Sequence, residues 1–290
     1  MFREKHPFAW TFHRNTMRWP FNWLEPPEDT CSEPAFKEYF GVPALPLPEA
    51  VLPKISLQGA IAARLSCRRF MGAPLTMLQL ATVLKCAYGV QGKTLSGDME
   101  LLERPVPSGG GLYPLELYAL VQNVEGVEPG IYHYAALHHM LEQVQPVRLS
   151  KPAVSRLFMD QPYITGAAVI VVLVAVVERC LWKYGDRGYR YILFEAGHVA
   201  QNVNLVSSAL ELGSLNLGGF FDADLASLLL VDLETEVPLY GVAVGVQCAG
   251  DRSELRQPSS CSCQKLDQPQ EAAYSPERER VEGGRVGNWL

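Results

Sequence analysis

Two apolar periods run along this chain, and the changes between them mark its elements. Over Leu115–Val121, Leu115, Leu117, Ala119 and Val121 alternate with Glu116, Tyr118 and Leu120, which predicts a β-strand. Residues 166–177 read GAAVIVVLVAVV, an unbroken apolar run rich in β-branched side chains and too short to span a bilayer, so they predict a buried central strand. GIYHYAALHHMLEQV predicts a hairpin in which Tyr132, Tyr134 and Leu141 pack, and EVPLYGVAVGV predicts a last strand. Helical spacing begins at Ser56 and runs to about residue 65. It returns after Thr76, a capping residue, with Leu78, Leu80, Ala81, Leu84 and Ala87 on one face. A long helix is predicted from about Tyr191 to a capping Gly213, with Ala196, Val199, Ala200 and Val203 on one face as a candidate interface. DADLASLLLV predicts a short helix capped by Asp222. The mixture of helices and strands predicts a mixed α and β fold.

The ends differ from this middle. Residues 1–55 are rich in proline and aromatics without a sustained period and predict an extended arm packed by its tryptophans. Residues 56–249 form the predicted folded domain, and residues 250–290 a polar, proline-containing tail that is disordered or wraps a partner. The first twenty residues lack the apolar stretch and small-residue cleavage site of an export signal. With 48% hydrophobic residues the chain can bury a large core, and a net charge of -6 argues against nucleic acid as a partner. Seven cysteines, an odd number without regular spacing, predict free thiols in a reducing cytoplasm. Cys261 and Cys263 have no nearby histidine or second cysteine pair, so no metal site is expected.

Three stretches carry candidate chemistry. In RLSCRRF, Arg64, Ser66 and Arg68 are two apart, which on an extended segment turns two guanidiniums and a hydroxyl to one side as a phosphate receptor. A solvated basic stretch between helices is the bland reading. RPVPSGGGLYPLELYALV holds Pro107, Ser108, Gly109, Gly110 and Gly111 before a strand; it has no lysine and no following helix, so it is not a mononucleotide-binding loop. Gly218 and Gly219 in SLNLGGFF could admit a backbone N–H to a flat ligand or simply form a turn. Lys183 and Tyr184, at the end of the most buried strand, form a candidate base and its neighbour, since lost hydration lowers a lysine's pKa.

Taken in order, RLSCR, PSGGGLYPLELY, PGIYHY, WKYGDRGYRY, EAGHVAQN, LGGF and VPLYGVAVG resemble the nitroreductase-like flavoproteins, and among them the SagB-type (McbC-like) thiazole/oxazole-forming dehydrogenases. The resemblance implies an α+β fold, a central mainly antiparallel sheet surrounded by helices, in an intertwined homodimer with FMN at the interface. It implies that Arg64, Ser66 and Arg68 hold the FMN phosphate and ribityl chain, and that Pro107, Ser108 and Gly109, Gly110 and Gly111 lie along the partner's flavin. A backbone N–H at Gly218 or Gly219 would face the flavin, and Lys183 and Tyr184 would take a proton from an azoline ring in a peptide or carrier-bound substrate. Ring formation would fall to a separate cyclodehydratase. The alternatives are an NAD(P)H-dependent reductase of nitro or quinone compounds and a flavin-binding scaffold subunit.

Overall fold

The computed structural model describes residues 2–18, 31, 33–96 and 99–248. In chain order the elements are α1 (Phe2–Lys5), α2 (Pro7–Asn15), β1 (Ala44–Pro46), α3 (Leu57–Ala63), α4 (Met77–Tyr88), β2 (Gly92–Ser96), β3 (Met99–Glu103), β4 (Leu115–Val121), β5 (Gly130–Ala135), β6 (Met140–Gln145), α5 (Lys151–Leu157), β7 (Val169–Val176), α6 (Glu178–Tyr184), α7 (Arg187–Ala209), β8 (Gly213–Leu217), α8 (Asp222–Leu229) and β9 (Glu236–Gly245). Seven strands pair antiparallel in the order β1-β6-β5-β4-β7-β9-β8, while β2 and β3 make a separate ribbon. The fold is therefore α+β, an antiparallel sheet with helices around it.

The apolar run of β7 is continuous because both faces of the sheet are covered. Leu115, Leu117 and Ala119 of β4 and Val171, Leu173 and Ala175 of β7 pack with Leu80 and Leu84 of α4 and Val199 and Val203 of α7. The alternate residues Tyr118, Leu120, Ile170, Val172 and Val174 pack with Leu157 of α5 and Leu225 and Leu229 of α8. The alternation that predicts β4 thus sorts side chains between two cores, and even Glu116 is buried.

Residues 34–39 close part of the second face over a buried charge network. His133 Nδ1 lies 2.8 Å from Glu142 Oε2 and its Nε2 3.2 Å from Glu116 Oε2, and Arg179 Nη1 lies 2.7 Å from Glu116 Oε1. The same carboxylates accept backbone N–H groups of the arm, Lys37 at 3.0 Å and Tyr39 at 3.2 Å, while Arg179 Nε donates to the Pro34 carbonyl at 2.7 Å. Burial resists ionisation of Glu116, but the His133 hydrogen bond and the Arg179 charge outweigh it and hold the carboxyl down at about 2. Burial likewise opposes protonation of His133, and its two carboxylate partners overcome this and raise its pKa.

Several expectations need correction. The arm of residues 1–55 is not extended throughout: Pro7 opens α2, where its fixed φ suits a helix start, and Phe12 meets the Tyr189 ring edge-on at 6.0 Å. Leu78 is exposed, so the buried face of α4 is Leu80, Ala81, Leu84 and Ala87, joined by Tyr88. The long helix begins at Arg187 and ends at Ala209; Gly213 already belongs to β8. Phe221, not Asp222, precedes α8. Ala196, Val199, Ala200 and Val203 lie in the chain's own core at 4% exposure or less, because α7 must cover the sheet. They are not available as an interface; Leu193 and Phe194 form the exposed apolar part of α7. The tail of residues 250–290, with Cys261 and Cys263, lies outside the described residues.

Candidate active site

The glycine loop and the Lys-Tyr pair, far apart in sequence, meet in space. Lys183 and Tyr184 close α6, the short helix that follows β7, rather than standing on the strand, and both are half-buried. Gly110 and Gly111 take left-handed backbone with φ of +66° and +68°. A Cβ on Gly110 would stand 2.6 Å from Tyr184 Oη and 3.0 Å from Lys183 Nζ, so glycine alone lets the loop come this close. Tyr184 stacks edge-on against Tyr191 at 5.0 Å, and a Cβ on Gly109 would touch the Tyr191 ring at 3.4 Å. Burial, with Cys180 and Tyr191 adding to it, pushes the Tyr184 phenol up, so it keeps its proton near neutrality and can donate a hydrogen bond.

Beneath the loop lies a buried polar group of residues. Ser108 Oγ accepts the Tyr113 N–H at 2.9 Å, and the Ser108 carbonyl accepts the Gly111 N–H at 3.1 Å. Tyr88 Oη donates to Glu195 Oε1 at 2.5 Å and accepts the Leu115 N–H at 3.2 Å, tying α4, α7 and the start of β4 together. Burial pushes the Glu195 carboxyl up to about 7, against the hydrogen bonds from Ser108 and Tyr88 and the charge of Arg104. Arg104 is 6% exposed, and its guanidinium carbon lies 4.2, 4.9 and 5.2 Å from the ring centres of Tyr88, Phe36 and Tyr113. Its Nη1 donates to the Tyr88 carbonyl at 3.2 Å, whereas Nε and Nη2 have no hydrogen-bond partner among the described residues. Beside it a cavity of about 180 Å³ is lined by Phe36, Leu102, Gly111, Leu112 and Tyr113.

The other predicted residues gather along the β8 edge. Ser66 bridges Ser214 in parallel and the Cys67 N–H donates to the Ser214 carbonyl at 2.9 Å, so the RLSCR segment runs beside the strand that leads to Gly218 and Gly219. Arg64 is half-buried and Arg68 exposed, and neither guanidinium makes a hydrogen bond or ion pair among the described residues, though the Arg64 backbone N–H caps α3 on the Ala60 carbonyl at 3.2 Å. Arg68 also lines a cleft of about 340 Å³ with Lys151 and Tyr163. Two guanidiniums and a hydroxyl on one edge have the chemistry of a phosphate receptor. Gly218 is exposed, and a Cβ there would meet only Tyr240 at 3.7 Å, leaving its backbone open to a ligand. Pro107 is exposed at the start of the glycine loop. No hydrogen bond or ion pair among the described residues joins the β8-edge group to the glycine loop and the Lys-Tyr pair. Among the described residues no cluster could hold a metal ion, and no helix is long and apolar enough to cross a membrane.

Sequence reasoning missed Glu195, Tyr88, Tyr191 and Arg104. A signal for the first was present: Glu195 stands three residues after Ile192 and four before Val199, a carboxyl on an apolar helix face.

Comparison with known proteins decides the family, since the nitroreductase family pattern matches residues 61–246. The chain belongs to the nitroreductase family. This nitroreductase-family chain is 35% identical over 192 residues to a Methanocaldococcus jannaschii protein named as a nitroreductase, with 66% of this chain and 91% of that protein covered. It is 33% identical over 148 residues to the microcin B17-processing protein McbC of Escherichia coli, with 50% of this chain and 54% of McbC covered. The chain thus matches about half the length of McbC. The Escherichia coli microcin synthetase McbBCD complex with truncated pro-MccB17 bound contains a chain that superposes with a TM-score of 0.55 at 25% identity, covering 82% of this chain and 91% of that one. The family and the likeness to McbC agree with the resemblance carried by the motifs.

Proposed function

We propose that this nitroreductase-family chain is an FMN-dependent dehydrogenase that oxidises azoline rings to thiazoles or oxazoles in a peptide or carrier-bound intermediate. The observation that carries the reading is the approach of Gly110 to Lys183 Nζ and Tyr184 Oη, which puts a base and a hydroxyl donor against an open backbone surface. Bound FMN would supply the hydride acceptor. Aromatising an azoline removes a hydride from one ring carbon and a proton from its neighbour, so the protein must provide the base. Lys183 takes that proton, and Tyr184, which keeps its own proton, orients the ring by hydrogen bonding. Arg64, Ser66 and Arg68 hold the phosphate, and the Gly218 and Gly219 backbone lies along the ring system.

The glycine loop serves the flavin of a second copy in this reading. Two strands, β7 and β9, separate β4 from β8, so the loop and the β8-edge group of one chain are at least about 14 Å apart across three interstrand spacings, and Ser66 lies level with Val121, the far end of β4 from the loop. A homodimer brings them together. Likeness to McbC, named for processing microcin B17, supports a peptide substrate and ring closure by a separate cyclodehydratase.

Purified protein is expected to be yellow and to convert an azoline-bearing peptide to its azole while consuming dioxygen. Lys183→Ala should keep its flavin and lose turnover by about 100-fold or more. Arg64→Ala with Arg68→Ala should give folded, colourless protein. The relative named as a nitroreductase supports a second reading, an NAD(P)H-dependent reductase of nitro or quinone compounds. Rapid flavin reduction by NADPH with no azoline oxidation would establish that reading instead. Product formation left intact by Lys183→Ala would point to a scaffold role.

A further inference from the structure

The helix that ends in Lys183 and Tyr184 is finished by a residue from near the start of the chain. An α-helix leaves its last carbonyls without partners inside the helix. At the close of α6 the chain turns off at Gly185, whose φ of 54° and ψ of -155° leave the helical path, and its N–H reaches back to the Leu181 carbonyl at 2.7 Å. The Tyr184 carbonyl is taken by the guanidinium of Arg18, 166 residues earlier. A cation is favoured at this end of a helix, where the aligned peptide dipoles gather negative charge. The exchange is mutual. Arg187 Nη1 donates to the Thr16 carbonyl at 2.9 Å and Arg190 Nη2 to the His13 carbonyl at 2.7 Å, both at the C-terminal end of α2. Those two arginines stand at the start of α7, where that helix's own dipole disfavours a cation and the first turn holds no acidic residue. Their placement suits the end of α2, not the start of α7.

We propose that Arg18 is a positioning residue for the Lys183–Tyr184 pair: by holding the Tyr184 carbonyl it keeps the last turn of α6 wound and both side chains against Gly110. The two residues belong to that turn, so unwinding it would swing Tyr184 Oη and Lys183 Nζ away from the loop that only a glycine lets approach. The edge contact with Tyr191 at 5.0 Å steadies the Tyr184 ring but leaves the backbone of the turn to Arg18 and Gly185. In this arrangement α2 is a brace: Arg187 and Arg190 fix its end against α7, and from that fixed end Arg18 reaches α6. Phe12 fills the seam, edge-on to Tyr189 and 5.6 Å from the Arg190 guanidinium. The importance of the pair's position for catalysis rests on the dehydrogenase reading, whereas the cap on α6 does not.

Site-resolved amide hydrogen exchange on the full chain, without substrate, reads the cap. The Gly185 amide donates to the Leu181 carbonyl and reports whether the last turn of α6 is wound, and the Trp10 amide, which donates to the His6 carbonyl at 3.0 Å, reports α2. In Arg18→Ala the Gly185 amide should exchange about tenfold faster, while amides of β7 exchange as in the wild type. Arg18→Lys, which still offers a cationic donor, should recover much of that protection. Steady-state azoline oxidation reads the consequence: in Arg18→Ala kcat should fall about tenfold with KM changed by less than about twofold and flavin content unchanged, and Arg18→Lys should recover part of the loss. Wild-type Gly185 protection in Arg18→Ala overturns the proposal, as does faster exchange confined to Trp10, which would make Arg18 an anchor of α2 alone. Lost Gly185 protection with wild-type kcat overturns the positioning role. Should Arg18→Ala fail to fold, Arg18→Met, which keeps an unbranched stem and removes the donors, is judged by the same outcomes. A protein that oxidises no azoline yet loses Gly185 protection in Arg18→Ala would refute the dehydrogenase and leave the cap standing.

Discussion

A methyl group on Gly110 would meet Tyr184 Oη at 2.6 Å and would have to be carried at a φ of +66°. Gly110→Ala is therefore expected to cost about 1 kcal/mol of stability through backbone strain. Its effect on the reaction should be larger: with the Lys-Tyr pair pushed aside by a fraction of an ångström or more, turnover should fall by about 100-fold. Urea unfolding and steady-state assays separate the two, and wild-type turnover in the variant would mean that the close approach is not needed. The triplet itself was legible, because three glycines before a strand demand a reason. What they approach was not, since Gly110 and Tyr184 lie in different elements and only the packing of α6 against the loop unites them. Arg104 was illegible for the same reason: nothing local marks a guanidinium that three rings from separate segments will enclose.

Among the elements, β4 teaches how far periodicity reaches. Its alternation announces a strand, yet it suggests that Glu116 faces water, whereas the arm covers that face and makes the carboxylate a buried anchor. Sequence pattern reports what a strand can bury on one side; whether a remote segment returns to cover the other depends on tertiary pairing. Removing one member of the network leaves the others charged and buried, so Arg179→Met should destabilise the protein by about 3–5 kcal/mol, read by urea unfolding, with faster proteolysis at residues 34–39. The pH dependence runs in two directions. Glu116, lowered to about 2, contributes stability that is present above its ordinary 4.5 and is lost as the pH falls through about 2. His133, raised above its ordinary 6.5, contributes stability that is complete below that value and is lost as the pH climbs past it. Protection of the Lys37 and Tyr39 amides should accordingly be greatest in mildly acidic solution, and an equal maximum at alkaline pH would contradict the charge assignment.

For the molecule as a whole, Glu195 adds a further slope. Its pKa rises on folding from 4.5 to about 7, so its contribution is complete below 4.5 and declines as the pH rises through that interval. Glu195→Gln should flatten global stability between those limits, as measured by denaturant titration at several pH values. Assembly obeys the same linkage. A flavin gripped by two copies stabilises their association, so FMN should lower the dimer dissociation constant, and sedimentation of the apo and FMN-bound forms measures the difference. A monomer that retains FMN and full turnover would refute the shared site. In the proposed site a single chain would carry both halves, and it was the resemblance, not the pattern of the residues, that gave the glycine loop to the partner's flavin.

The docking of α2 has a consequence for how the chain is made. Arg18 donates to the Tyr184 carbonyl, Arg187 to that of Thr16 and Arg190 to that of His13, across 166, 171 and 177 residues respectively. On a ribosome working at about 5–20 residues per second, α2 emerges roughly 10–30 s before the elements it packs against exist. For that interval Phe12 lacks the Tyr189 ring it meets in the fold, and α2 has no α7 to dock on.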